Sequence, residues 1–245
     1  MNKLLIIITI LFGLTQNGAG QTTYSTKIQA QIKQVENNLF SRVIINGKGD
    51  NILDRMKFLK VKGLSIAVVK DYKIEWAKGY GFADEKEKRL VTTTTLFEPG
   101  SISKSLNALG ALKLVQENKM ELDKDINSYL KSWQFPYDSI SKGKKITLAN
   151  LLSHTSGIGV HGFLGYDRTS KIPSIVEILD GKLPSISPAI RSFIEPNVKF
   201  QYSGGGTTIS QLMIEDISKQ PYHLFMQKNV LSPLGMTNSF FNQHI

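Results

Sequence analysis

The stretch that most constrains this chain is Leu96–Glu117, reading LFEPGSISKSLNALGALKLVQE. Pro99 and Gly100 form a turn signal. Ser101 then leads into a run carrying Leu106, Ala108, Leu109, Ala111, Leu112, Leu114 and Val115. Apolar residues on every side of a helix mark it as an interior element. Serine is favoured at helix starts, so Ser101 is expected at the mouth of a buried helix.

Lys104 follows Ser101 at i+3, and such positions are neighbours on a helix surface. Burial disfavours an ammonium, and so does the positive end of a helix dipole. The amine is therefore expected to serve as a base for the Ser101 proton. Free N–H groups of the first turn are expected to face a developing oxyanion. Spacing alone does not single out this pair. Ser-x-x-Lys occurs four times, starting at Ser101, Ser128, Ser139 and Ser141. Ser139 and Ser141 lie in QFPYDSISKGKK, a Pro/Gly/Lys-rich loop, and Ser128 precedes Lys131 near the end of a polar segment. Only Ser101 opens a core helix. A capping serine followed by a snorkelling surface lysine would show the same spacing.

The first twenty residues, MNKLLIIITILFGLTQNGAG, read as a secretory signal peptide. Lys3 is a short charged n-region, and Leu4–Leu14 is an apolar core too short to span a bilayer. Gly18 and Gly20 suit cleavage before Gln21. Export to the periplasm or medium is expected, with no stable membrane insertion after cleavage. There is no cysteine, so an exported form relies on its hydrophobic core. The formal charge of +10 loses only Lys3 on cleavage. Basic residues are scattered, with small groups at Lys57–Lys62 and Lys142–Lys145. Neither a basic stripe nor a nucleic-acid module is visible, which argues against nucleic acid as a partner. His154, His161, His223 and His244 show no metal-ligand spacing. Gly204–Gly206 lacks the Gly-Lys-Ser/Thr of a phosphate loop and is expected as a turn admitting substrate backbone.

Helical periodicity covers Thr26–Val43, with Asn46–Asp50 as a loop. Leu64–Val69 reads as a buried strand and Asp71-Tyr72-Lys73 as a turn. Ile74–Phe82 follows with Ile74, Trp76, Tyr80 and Phe82 on one face, making a hairpin packed on the first helix. Met120–Leu130 is a turn and short helix, and Thr147–Leu152 another short helix. Ser174 and Glu177 have capping-box spacing, and Gly181 supplies the stop. Phe200–Gly206 is expected as a turn, Thr208–Ile217 as an amphipathic helix, and Pro221 as the start of a further one. The pattern implies an α+β fold: an N-terminal helix and hairpin at 21–99, then a mostly helical portion at 100–245.

Five stretches in order resemble the serine β-lactamase and penicillin-binding-protein superfamily, in its class C β-lactamase, esterase and D-aminopeptidase branch. They are LSIAVVKDYKIEWAKGYGFAD at 64–84, LFEPGSISKS at 96–105, ITLANLLSHTSGIG at 146–159, FQYSGGG at 200–206 and LSPLGMTNSFF at 231–241. Ser-x-x-Lys is a known signature of these enzymes. The resemblance implies Ser101 as the acylated nucleophile and Lys104 as its proton acceptor or electrostatic partner. Tyr202, opening a Tyr-x-Asn-like motif, would shuttle protons, its phenol made more acidic by the neighbouring lysine. Ser203 and Gly204 are implied at the substrate. His154, in the HTSG stretch, is implied to be structural. No cofactor and no metal are implied.

Two departures stand out. The family's Asn is Gly204 here, which weakens amide recognition and favours small esters or differently held D-amino-acid amides. No Lys-Thr-Gly or His-x-Gly follows Tyr202, so the strand carrying the third motif and second oxyanion donor is missing from the family pattern. The resemblance is thus to a C-terminally truncated member. The expected function is an exported serine hydrolase acting through a seryl acyl-enzyme on an ester, β-lactam or D-amino-acid peptide. The alternative is an inactive homologue that binds cell-wall fragments or a partner protein.

Overall fold

The computed structural model describes residues 23–39, 49–167 and 169–242. The expected leader, residues 40–43 of the expected first helix and residues 46–48 of the expected loop lie outside them. The chain divides into two compact units after Phe97. Mixed α/β structure with one small antiparallel sheet matches the expected fold class.

In the first unit, α1 (Thr26–Asn37) starts at Ser25, whose hydroxyl accepts the Ile28 N–H. A second helix, α2 (Ile52–Phe58), was not expected. Asn51 starts it by accepting the Leu53 and Asp54 N–H groups. Strands β1 (Gly63–Lys70), β2 (Lys73–Asp84) and β3 (Arg89–Leu90) form an antiparallel sheet in the order β1-β2-β3. Asp71 and Tyr72, both left-handed at φ 49° and 60°, close the β1–β2 hairpin, as a two-residue turn compatible with strand twist requires.

The expected hairpin face needs correction. Trp76 and Tyr80 are buried, but Ile74 and Phe82 are exposed. The β1–β2 register shifts between Val68 and Val69, and the β2–β3 register shifts beyond Phe82. The β1–β2 bulge falls between Trp76 and Ile74 and re-aims the side chain beyond it, so simple alternation fails at Ile74. The apolar face also packs on α2: Tyr80 clusters with Ile52 and Met56. Helix α1 and the residue before its cap also join the sheet through hydrogen bonds. The Tyr24 hydroxyl bonds the Ala77 carbonyl at 3.0 Å, and Lys78 pairs with Glu36 at 2.6 Å.

The second unit is helical. A 3-10 turn at Gly100–Ile102 precedes α3 (Ser103–Gln116). Then come α4 (Leu148–Ser153), α5 (Ile175–Asp180), α6 (Gly204–Ser218) and α7 (Tyr222–Met226), the last running into a π-helical turn at Gln227–Leu231. Both expected ends of α5 are present. Ser174 and Glu177 form the capping box, and Gly181 ends the helix at φ 62°. The core gathers Ala111, Leu114, Leu148, Leu151, Ile209 and Met213.

Helix α3 is not interior on every side among the described residues. Asn107, Gly110, Ala111 and Leu114 form its buried stripe. Leu109 and Leu112 remain 46% and 40% exposed. The stripe follows helical spacing and meets α6 and α7. A Cβ on Gly110 would lie 2.6 Å from the Met226 sulfur, so glycine permits this approach.

One buried polar group ties these helices together. The Asn107 amide donates to Ser210 Oγ at 2.7 Å, and its carbonyl accepts the Tyr222 hydroxyl at 3.0 Å. Ser210 Oγ donates in turn to the Thr207 carbonyl at 2.8 Å. Removing Asn107 strands the Tyr222 hydroxyl, and orphaning a buried donor costs about 1–3 kcal/mol. Asn107→Ala is therefore expected to lower unfolding free energy by about that amount in urea titration. An unchanged midpoint would contradict this role.

Candidate active site

Ser101 lies inside the 3-10 turn, and the cap position of α3 is Ile102. Ser101 thus stands at the mouth of the helix as expected, and the alternative reading of it as a capping serine fails. Gly100, at φ 52°, turns the chain tightly. The 3-10 geometry satisfies the first-turn donors with backbone. Ile102 N–H donates to the Pro99 carbonyl at 3.2 Å. Ser103 N–H donates to the carbonyls of Gly100 and Ser101. No capping hydroxyl is needed, which leaves the Ser101 side chain available. The same geometry trims the expected oxyanion donors. Ile102 and Ser103 are occupied, while the Ser101 N–H has no hydrogen-bond partner among the described residues.

The structure brings Ser101, Lys104 and Tyr202 together. Lys104 Nζ donates to Ser101 Oγ at 3.1 Å, and the Tyr202 hydroxyl donates to the same oxygen at 2.8 Å. Lys104 Nζ also sits 5.0 Å from the centre of the Tyr202 ring. Lys104 is half-buried, not enclosed. The neighbouring Lys104 amine first, and the Ser101 hydroxyl second, hold the Tyr202 phenol below its ordinary pKa. Stabilising the phenolate in this way prepares a base beside the nucleophile.

The Tyr202 ring packs against two imidazoles. His154 lies 4.5 Å away between ring centres, and His161 4.7 Å away. Phe200 meets the His154 ring edge-on at 5.7 Å. Burial first, then the Lys104 charge, holds His154 below the usual imidazole pKa. His161 was not anticipated at the site. It stands in no motif, and only its fold-dependent contact with Tyr202 reveals it.

Ser203 and Gly204 are not open to substrate. Ser203 is fully buried. Its Oγ donates to the Gly159 carbonyl at 2.7 Å and accepts the Gly206 N–H at 2.9 Å. It is the N-cap of α6, with its hydroxyl satisfied. Gly204 is buried as the first residue of α6. A Cβ there would lie 2.9 Å from the His161 carbonyl and 3.3 Å from Phe163 Cε2. The space an asparagine side chain would need is filled by the 161–163 segment. The expected turn at Gly204–Gly206 is instead the first turn of α6, where close packing overrides the poor helix propensity of glycine.

The second Ser-Ile-Ser-Lys copy serves other ends. Ser141 Oγ donates to the Asp138 carbonyl at 2.7 Å, and Lys142 pairs with Glu195 at 2.8 Å. Lys131 of the Ser128 copy donates to the Ser128 carbonyl at 3.0 Å, not to its hydroxyl.

The glycines of α6 give a paired prediction. A Cβ on Gly205 would meet Ile190 Cγ2 at 2.9 Å, whereas one on Gly206 finds ordinary contacts from 3.5 Å. Gly205→Ala is expected to destabilise by about 1–3 kcal/mol through overpacking. Gly206→Ala is expected to be stabilising by about 0.4–1 kcal/mol. Thermal melts of both variants check the order; the reverse order would refute the packing account.

Residues 50–245 match the Beta-lactamase family model. The chain is 31% identical over 186 residues to protein flp of Staphylococcus aureus, covering 75% of this chain and 35% of that protein. Its fold is similar to an octameric penicillin-binding protein homologue from Pyrococcus abyssi, with TM-score 0.62 and 27% identity over 76% of this chain and 42% of that one. It is similar also to D-amino acid amidase from Ochrobactrum anthropi, with TM-score 0.64 and 25% identity over 79% of this chain and 52% of that one. The chain spans between about a third and a half of the length of these relatives. With Ser101, Lys104 and Tyr202 hydrogen-bonded inside the matched region, the chain belongs to the Beta-lactamase family.

Proposed function

We propose that this chain belongs to an exported serine hydrolase that forms a seryl acyl-enzyme. The observation carrying this is the convergence of Lys104 Nζ and the Tyr202 hydroxyl on Ser101 Oγ, at 3.1 Å and 2.8 Å. Lys104 acts as the electrostatic partner. Its ammonium favours the Tyr202 phenolate, and once the phenol ionises the Tyr202–Ser101 bond reverses, with Ser101 donating. Tyr202 then takes the Ser101 proton as Oγ bonds to the acyl carbon. The carbonyl electrons move to oxygen, facing the Ser101 N–H. Collapse breaks the bond to the leaving group, which receives the proton from Tyr202. Water attacks the acyl-serine, passing a proton to Tyr202, and the released Ser101 oxygen takes it back.

The substrate class is an ester, β-lactam, or D-amino-acid amide or peptide. The family membership supports this range, and the Ochrobactrum relative is a D-amino acid amidase. Within it, the filled space over Gly204 favours substrates that need no carboxamide from that position. The apolar leader supports export.

The test is covalent labelling with a fluorophosphonate and a fluorescent penicillin, read by intact mass and peptide mapping. Label on Ser101, lost in Ser101→Ala, is expected. Tyr202→Phe is expected to slow labelling by roughly a hundredfold or more, the range for losing a positioned base. Lys104→Met removes the largest cause of the lowered phenol pKa. The alkaline rise in labelling should then move toward the ordinary tyrosine value of about 10. Absence of label in folded protein would instead favour an inactive homologue that binds cell-wall fragments or a partner.

A further inference from the structure

We propose that His154 is a positioning residue that holds Tyr202 against Ser101 only while its imidazole is neutral. This rests on the hydrolase function proposed above. His154 grips the chain on both sides of Tyr202. Its carbonyl accepts the Gln201 N–H at 2.7 Å. Its ring nitrogen Nδ1 accepts the Ser203 N–H at 3.3 Å. Between these bonds, its ring lies 4.5 Å from the ring of Tyr202. One residue thus fixes the backbone before the phenol, the backbone after it and the ring itself.

The grip has a chemical condition. A backbone N–H can only donate, so Nδ1 must carry its lone pair and any ring proton sits on Nε2. Protonation turns Nδ1 into a donor aimed at another donor, and the Ser203 bond is lost. It also sets a second cation beside Lys104. The titratable or charged groups facing His154 are Lys104 on α3, the Tyr202 phenol and, on that same phenol ring, His161. Burial and the Lys104 charge both favour the neutral ring at ordinary pH.

His154 ends α4 in the left-handed region, at φ 58°. Asparagine tolerates that conformation and offers Oδ1 as a non-titrating acceptor near the position of Nδ1. His154→Asn should therefore rescue what His154→Ala loses. The measurement is the second-order rate of Ser101 labelling by a fluorophosphonate over roughly pH 4 to 9, bracketing imidazole titration. In the natural chain two protons block the reactive form, one on Tyr202 and one on His154. The log rate is thus expected to steepen from slope one to slope two toward acid.

His154→Asn should stay at slope one, with near-natural rates at neutral pH. His154→Ala should be roughly ten- to a hundredfold slower there, a typical effect of misplacing a reactive group. Equal slopes in the natural chain and His154→Asn would overturn the proposal. So would loss of label in folded His154→Asn. If His154→Ala fails to fold, the Asn comparison decides alone. Failure of the hydrolase function itself shows differently: no label on Ser101 in the natural chain, which removes this proposal too.

Discussion

One serine oxygen accepts hydrogen bonds from an amine and a phenol, and the packing of the second unit holds all three groups together. The Ser101 hydroxyl is available because its turn is 3-10, which satisfies the first helix donors with backbone carbonyls. A capping serine would have spent its oxygen on the helix. The tight entry at Gly100 therefore converts a common helix-start residue into a nucleophile candidate.

Tyr202 needs more support, since it reaches Ser101 from far along the chain. Ser203 caps α6 with a buried hydroxyl, fixing the residue after the phenol. Gly204 and Gly205 let α6 close on the 159–163 segment and on Ile190. That segment brings His161 to the phenol ring. Below, the Asn107–Ser210–Tyr222 network joins α3, which follows Ser101, to α6, which follows Tyr202. The buried polar group and the small residues together set the distance between nucleophile and base.

Local chemistry was legible in the sequence. The Ser174–Glu177 box, the stop at Gly181, the hairpin turn and the helix after Pro221 all follow from short-range rules and stand where those rules place them. Ser101, Lys104 and Tyr202 were named through their motifs. Features set by distant contacts were not legible. Ser203 and Gly204 sit in the same motif as Tyr202, yet their side-chain positions face inward because α6 begins there. Three consecutive glycines read as a turn until packing makes them a helix. The apolar run of α3 predicts burial all round, but the described residues bring neighbours to one stripe of it, leaving Leu109 and Leu112 exposed among them. His161 has no sequence signal, because its relevance is a ring contact across the fold.

The central claim is that Lys104 and Ser101 make the Tyr202 phenol more acidic than an ordinary tyrosine. It is tested most directly by a carbon-13 NMR titration of protein labelled at tyrosine Cζ, with the Tyr202 signal assigned by its loss in Tyr202→Phe. The account predicts a midpoint clearly below the ordinary value of about 10. A midpoint at or above that value would contradict it.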